Sequence, residues 1–370
     1  MAIARKNQLV GLDIGSHSIK VVEIDHTKKG MALKNIGLIG LPPDAIVEGS
    51  IKEPEIVASG IKSLFDNLKI KNRNVAVSIS GYSVIVKKIS VLKKDKADLE
   101  RTIHDEAEQY IPFDINQVNL DFDILTAETG DETGETGDGD GGAGSEGTGR
   151  MDVMLVAAKK DVIEDYLNLV RSAGLNPGVL DVDSFALQNA FELSLGDEGQ
   201  PEGICAIINI GAEELGINAV SNGVSLFTRD SGFGGSQITD AIMSRLKIPY
   251  DEAERMKLGG EIAEKDRQVI EEIFTSVVAE WVQEIKRALD FVTSTYPDET
   301  ISKLVVSGGA CRIPGFQRYL QHETEVPVEE FNPLRNLTVN EKVMDRDYLN
   351  YIAPQAAVAL GLALRSIGDK

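Results

Sequence analysis

A chain of 370 residues with 42% hydrophobic content can build two or more packed units. Its formal net charge of −21 excludes a nucleic-acid surface, which needs basic patches, and an anionic bilayer as a direct partner. Two cysteines, Cys205 and Cys311, and four histidines without ligand spacing exclude a disulfide framework and a zinc set, and suit a reducing cytoplasm. No run reaches the roughly 18 apolar residues of a spanning helix. Residues 1–6 lack the apolar core of a signal peptide, so no direct membrane insertion is expected.

The chain opens with expected strands at 9–14, 18–25 and 31–40. Asp13 closes the first, and Gly15, Ser16 and Ser18 fill a tight turn. Such a turn presents backbone N–H groups and hydroxyls to one phosphate tail. Strand alternation puts Ser16, Ser18 and Lys20 on one face. An ordinary surface hairpin has the same composition. Residues 53–68 carry a helical stripe, and 74–80 alternate as a strand. Next come strand 84–92, helix 96–110, strands 118–125 and 152–158, helix 161–173 and strand 179–182. That order suggests an inserted β-α-β-β-α-β module. Residues 126–149 are almost wholly Gly, Thr, Glu and Asp, and are expected to form a disordered acidic loop. A tolerated insertion at a hairpin tip explains the tract better than a docking tail.

Helix 184–195 leads to a second meander at 204–210, 215–220 and 223–229. Its turn repeats the first, with Asn209 and Gly211 at the places of Asp13 and Gly15, which suggests an internal duplication. A helix-rich stretch at 236–296 carries Glu254 and Lys257 as i,i+3 neighbours; an exposed ion pair is the common reading of that spacing. Its long apolar stripe, Trp281 included, reads as plain core. Strand 304–306 runs into Gly308 and Gly309, where backbone can approach a flat ring closely. Helix 353–366 ends the pattern. No G-x-x-x-x-G-K-[ST], dinucleotide fingerprint, H-E-x-x-H or nucleophile elbow is present.

Two strand–[Asp/Asn]-x-Gly–strand copies and a later Ser-Gly-Gly resemble the actin-like ATPase superfamily, which includes actin, sugar kinases, DnaK-type ATPase domains and FtsA. Within it the chain most resembles the PilM family of type IV pilus assembly. The stretches at 11–23, 106–113, 152–160, 174–177, 181–187, 228–239 and 331–334 carry the likeness. The resemblance implies an α/β fold of two duplicated sheet-plus-helix halves around a nucleotide cleft. It implies a first subdomain at 1–81 and 179–203, an inserted βαββαβ subdomain at 82–178, and a second half at 204–370 with a helical part near 232–300. It implies ATP and Mg²⁺ as cofactors. Asp13, Gly15, Ser16, Ser18 and Lys20 match the first phosphate loop, with Asp13 on the metal through water. Asn209 and Gly211 match the second, Gly308 and Gly309 the adenosine loop, and Glu254 and Lys257 the ribose–adenine helix. Gln188 falls where a water-orienting residue sits in hydrolysing relatives.

Asn209 departs from the usual carboxylate, so nucleotide binding with slow or no hydrolysis is expected. The implied partner is the N-terminal cytoplasmic tail of PilN, with pilus motor ATPases as further candidates. The implied setting is cytoplasmic, at the inner membrane through that partner, in twitching motility. An FtsA-like filament protein and a small-molecule kinase on the same fold are the alternatives.

Overall fold

The structure, a computed structural model, describes residues 8–28, 30–125, 149–196, 199–340, 342 and 344–369. The tract at 126–148 and the start of the chain, residues 1–7, lie outside the described residues, so the expectations for both concern segments not described. Contacts divide the chain into a larger unit, Met1–Tyr82 with Glu164–Lys370, and a smaller one, Ser83–Ile163.

The larger unit starts with β1 (Val10–Ile14), β2 (Ser18–Thr27) and β3 (Gly30–Gly40). A small hairpin, β4 (Ile46–Val47) and β5 (Ser50–Ile51), precedes α1 (Pro54–Asn67) and β6 (Asn74–Ile79). Pro54 opens α1 where a missing N–H has no intrahelical partner to lose, and Val57, Ile61, Leu64 and Phe65 form its buried stripe.

The smaller unit holds β7 (Val84–Leu92), α2 (Lys96–Glu108), β8 (Val118–Ile124) and β9 (Arg150–Lys159). Its sheet runs β7-β9-β8, antiparallel throughout. Asp95 caps α2 by accepting the Asp98 N–H at 2.7 Å. Leu99, Ile103 and Ala107 of α2 share one apolar core with Ile89, Val91, Val153 and Leu155 of the sheet.

α3 (Lys160–Ser172) begins in the smaller unit and ends in the larger, followed by β10 (Asn176–Val182) and α4 (Asp183–Leu195). Here the expected boundaries change. β10 pairs parallel with β6, from Asn176↔Asn74 to Val182↔Ile79, so it completes the first large sheet. Among the described residues the smaller unit therefore has three strands and one full helix, and it ends near residue 163 rather than 178. Element order cannot tell which sheet a parallel strand joins after a helical crossover, because only its register partner decides that.

The rest of the larger unit comprises β11 (Ile204–Ile210), β12 (Leu215–Ser221), β13 (Val224–Ser231), α5 (Ser236–Leu246), α6 (Tyr250–Lys257), α7 (Arg267–Thr295), β14 (Ile301–Ser307), α8 (Phe316–Thr324), β15 (Val328–Glu330), α9 (Arg346–Ile352) and α10 (Ala357–Ala363). Trp281 of α7 is fully buried, edge-on to Phe316, and its indole N–H donates to Gln237 Oε1 at 2.8 Å.

The two five-stranded sheets, β10-β6-β1-β2-β3 and β15-β14-β11-β12-β13, repeat one pattern. In each, the first strand pairs antiparallel with the second and parallel with the strand on its other side. One apolar core joins them. It takes Val22, Ile24 and Ala76 from the first sheet, Cys205, Ile207 and Val305 from the second, the apolar face of α4 and most of α10. Every residue of α10 is buried. Helix and strand come so close here that a Cβ on Gly11 would overlap the Ala359 carbonyl oxygen, and one on Gly361 would overlap that of Ala186. Glycine is the residue that permits such an approach.

Candidate functional site

Both sheets end their first hairpins at the same cavity. In the first hairpin Asp13 faces Lys20 in register, and the Gly15 N–H donates to the Ser18 carbonyl at 3.2 Å. In the second, Asn209 faces Gly216, and the Gly211 N–H donates to the Glu214 carbonyl at 2.8 Å. The duplication thus reaches single hydrogen bonds, with the Asp–Lys pair of one turn replaced by Asn and Gly in the other. Lys20 Nζ stands 3.2 Å from Asp13 Oδ2.

Two further segments close on the second turn. Gly308, at φ +86°, follows β14 where a Cβ would overlap the Ile210 carbonyl oxygen. Its N–H donates to the Pro354 carbonyl at 2.9 Å, which anchors the Gly308–Gly309 bend. The Gly235 and Ser236 N–H groups donate to the carbonyls of Gly211 and Ala212 at 3.0 and 2.8 Å. From α6, Lys257 Nζ meets Glu254 Oε2 at 2.6 Å and donates to the Gly235 carbonyl at 3.3 Å. Thr239 Oγ1 donates to the same Glu254 oxygen at 2.7 Å. The i,i+3 pair is a largely buried one, with 9% and 13% of the Lys and Glu side chains exposed, where an open surface pair was the common reading.

The cavity has a volume of about 440 Å³, within the range of small-molecule sites. All eleven residues singled out from the sequence line it: Asp13, Gly15, Ser16, Ser18, Lys20, Asn209, Gly211, Glu254, Lys257, Gly308 and Gly309. Gln188 does not. Its amide donates to Glu192 Oε1 and to the Gly223 carbonyl, at 2.9 and 2.8 Å, away from the cavity wall. Five residues earlier on α4, Asp183 does line the cavity. Glu214 and Asp230 are further carboxylates on the wall that the sequence reading lacked. Asp183 had a signal, an acidic residue at the start of a helix following a strand. Glu214 and Asp230 had none, because only the fold brings them in.

These acids share one environment. Removal from water, then the Asp13 charge, pushes the Asp183 carboxyl up to about 7, against a hydrogen bond from Ser78. Burial and then Asp230 hold Glu214 well above the carboxylate range, and burial raises Asp230. Burial lowers His17, whose Nδ1 lies 3.1 Å from the Tyr250 hydroxyl. The folded chain therefore binds the Asp183 and Glu214 protons more tightly than the unfolded chain does. Their contribution to stability is complete below the ordinary carboxylate pKa and is lost as pH rises through the folded values, about 7 for Asp183. His17 acts with the opposite sign near 6.5, so a difference between variants is the clean measurement. Thermal midpoints from pH 5 to 8 are expected to fall less for Asp183→Asn than for the unaltered chain; parallel curves would contradict the assignment.

Turn N–H groups, Ser16, Ser18, Lys20 and Lys257 form a donor set that suits a polyphosphate. Carboxylates crowded enough to retain protons suit an accompanying divalent cation. Among the described residues no group of three His, Cys, Asp or Glu is arranged to hold a metal by itself. The residues present thus fit a nucleotide with its metal.

Comparison with known proteins supports the same frame. The family described as "Type IV pilus assembly protein PilM" matches residues 11–367. A solved PilM–PilN type IV pilus biogenesis complex contains a chain 29% identical to this one, with 98% of this chain and 99% of that one covered and a TM-score of 0.82. Cell division protein FtsA of Bacillus subtilis is 24% identical over 387 residues, covering 95% of this chain and 82% of FtsA. MreB 5 of Spiroplasma citri, solved bound to AMPPNP, shares the fold at 12% identity and a TM-score of 0.50, with 95% and 94% of the two chains covered. No helix among the described residues is long and apolar enough to cross a membrane. With the duplicated sheets, the paired glycine turns and a family match over nearly its whole length, the chain belongs to the PilM family of type IV pilus assembly proteins and has the actin-like fold.

Proposed function

We propose that this chain is an ATP-binding scaffold of type IV pilus assembly that turns its nucleotide over slowly or not at all. The observation that carries the reading is the convergence of four separate segments, two of them duplicated turns, on one cavity. The Gly15–Ser18 and Gly211–Glu214 turns hold phosphates through backbone N–H groups, and Lys20 adds a point charge. Asp13 is the carboxylate that would hold a metal through water. Glu254 and Lys257 hold the ribose and adenine edge, and Gly308 and Gly309 admit the flat base. A Mg²⁺ bound with ATP would neutralise phosphate charge, and Asp13 and the other carboxylates of the wall are the residues that would hold it. Asn209 cannot attract a cation or take a proton, which supports slow turnover.

The partner in this reading is the N-terminal cytoplasmic tail of PilN; the PilM family and the PilM–PilN complex to which this chain is similar support PilN itself. That partner places the chain at the cytoplasmic face of the inner membrane, between pilus motor ATPases and the envelope complex, in twitching motility. ATP then acts as a ligand that favours the closed arrangement of the two halves.

Calorimetric titration with ATP and Mg²⁺ tests the site. Asp13→Ala is expected to weaken binding by roughly 10- to 100-fold, the loss of a charge-assisted contact. No affinity in the unaltered chain sinks the proposal, and brisk phosphate release abolished by Asp13→Ala sinks the slow-turnover part. A synthetic PilN tail tests the partner by pull-down. A second reading, a small-molecule kinase, is favoured by Asp183, a carboxylate facing the cavity that retains protons near neutrality; substrate-dependent ADP release would support it.

A further inference from the structure

The smaller unit is connected to the larger one at two places, and both connections contribute to the wall of the nucleotide cavity. The outgoing connection is Ser80-Gly81-Tyr82, directly before Ser83 where the smaller unit starts. The returning one is α3, which enters the larger unit at Glu164 and carries Tyr166 onto the wall. The Tyr166 hydroxyl donates to the Gly49 carbonyl at 3.3 Å.

The outgoing connection belongs by sequence to the first half, yet residues of the second half hold it. The Gly81 N–H donates to Asp230 Oδ2 at 2.9 Å. The Tyr82 hydroxyl accepts the Gly232 N–H at 3.0 Å, while the rest of that ring is exposed. Glu214 accepts hydrogen bonds from Ser80 and from the Gly81 backbone. Its carboxylate lies so near Gly81 that a Cβ there would meet Oε2 at 2.8 Å, and Gly81 sits at φ +77°. Glu214 is also the last residue of the second phosphate turn, since its carbonyl closes that turn on the Gly211 N–H.

A short chain of rigid contacts therefore runs from the second turn, through Glu214 and Asp230, to the peptide that starts the smaller unit. We propose that residues 80–82 form a clamp through which nucleotide in the cavity is sensed at the root of the smaller unit. With the second turn settled on a phosphate, Glu214 and the neighbouring β13 end are held in one position, and residues 80–82 with them. With the turn empty, the root loosens with it. The inference rests on the nucleotide reading above and adds to it a route by which the bound state reaches the start of the smaller unit.

Hydrogen exchange on the full chain, with and without ATP and Mg²⁺, tests the clamp and separates it from the site. In the unaltered chain, nucleotide is expected to slow exchange in peptides spanning the two turns and in the peptide spanning residues 74–84. The double variant Ser80→Ala with Tyr82→Phe removes the side-chain bonds to Glu214 and Gly232 while leaving every carboxylate of the wall and both turns in place. It is expected to retain protection at both turns and to lose at least about half of the nucleotide-induced protection at 80–83. Tyr82→Phe alone keeps the ring and so guards against a folding defect, and should give an intermediate loss. Protection of the turns without protection at 80–83 in the unaltered chain overturns the clamp and leaves the nucleotide reading standing. Full protection at 80–83 in the double variant overturns it too. Absence of protection at the turns overturns the nucleotide reading, and the clamp with it.

Discussion

A Gly361→Ala variant is expected to lose about 3 kcal/mol or more of stability, above the usual 1–3 kcal/mol for overpacking. Position 361 lies where α10 crosses α4, and an added Cβ would overlap the Ala186 carbonyl oxygen and carbonyl carbon. Both are backbone atoms, so no rotamer change relieves the clash. Nor can α10 slide away, because its other flank rests on β1 at Gly11, where a Cβ would already overlap the Ala359 carbonyl. The helix is trapped between a strand and another helix by two glycines on opposite sides. For a unit of this size the loss corresponds to a fall of roughly 6 °C or more in the thermal midpoint, with reduced soluble yield. Gly40→Ala is the control, since nothing lies within 4 Å of its Cβ position and its φ is not positive; it should leave the midpoint within about 1 °C. An unchanged midpoint for Gly361→Ala would mean that the α4–α10 crossing yields easily, and that these helices do not pin the two halves together.

That crossing also explains why parts of the architecture could be read directly and others could not. The strand–turn–strand repeats were legible because a tight turn at the end of a buried strand needs Gly at a fixed offset, and Asp13-Ile14-Gly15 and Asn209-Ile210-Gly211 both keep it. Gly308 was legible for the same reason, as the residue that lets β14 end against Ile210. Gly361 was not, since a glycine in an Ala-rich helix carries no sign of what it approaches. The sheet membership of β10 was hidden for a related reason: a short apolar strand after a helix has no mark of its partner, and only pairing with β6 reveals it. Among site residues, Glu254 and Lys257 showed their mutual spacing but not their burial. Gln188 was named by family position, and Asp183 was not singled out. On α4, Asp183 stands at the N-terminal end that meets the cavity, whereas Gln188 lies more than a turn further on and bonds to Glu192 and Gly223.

The hydrolysis question turns on one atom pair in the second turn. Asn209 occupies, in the repeat, the place that Asp13 holds in the first turn, and the two differ by a neutral amide against a carboxylate. An amide offers one acceptor and two donors; it neither attracts a cation nor orders water as a base does. Asn209→Asp is expected to raise steady-state phosphate release roughly 10²-fold, the low end of what a positioned acid or base contributes. The gain should depend on Asp183, so the Asn209→Asp, Asp183→Asn double variant should return close to the unaltered rate. The same substitution adds one more acid to a wall that already holds Asp13, Asp183, Glu214 and Asp230 among others, and burial with neighbouring charge raises Asp183 and Glu214 above the ordinary carboxylate range. Without divalent cation, Asn209→Asp is therefore expected to lower the thermal midpoint, by more at pH 8 than at pH 6, with recovery on adding ATP and Mg²⁺. A midpoint that falls without any rise in phosphate release would place the limit on turnover elsewhere than at residue 209. A rate that rises with Asp183 replaced would remove Asp183 from the reaction and, with it, the reason to prefer that carboxylate over Gln188.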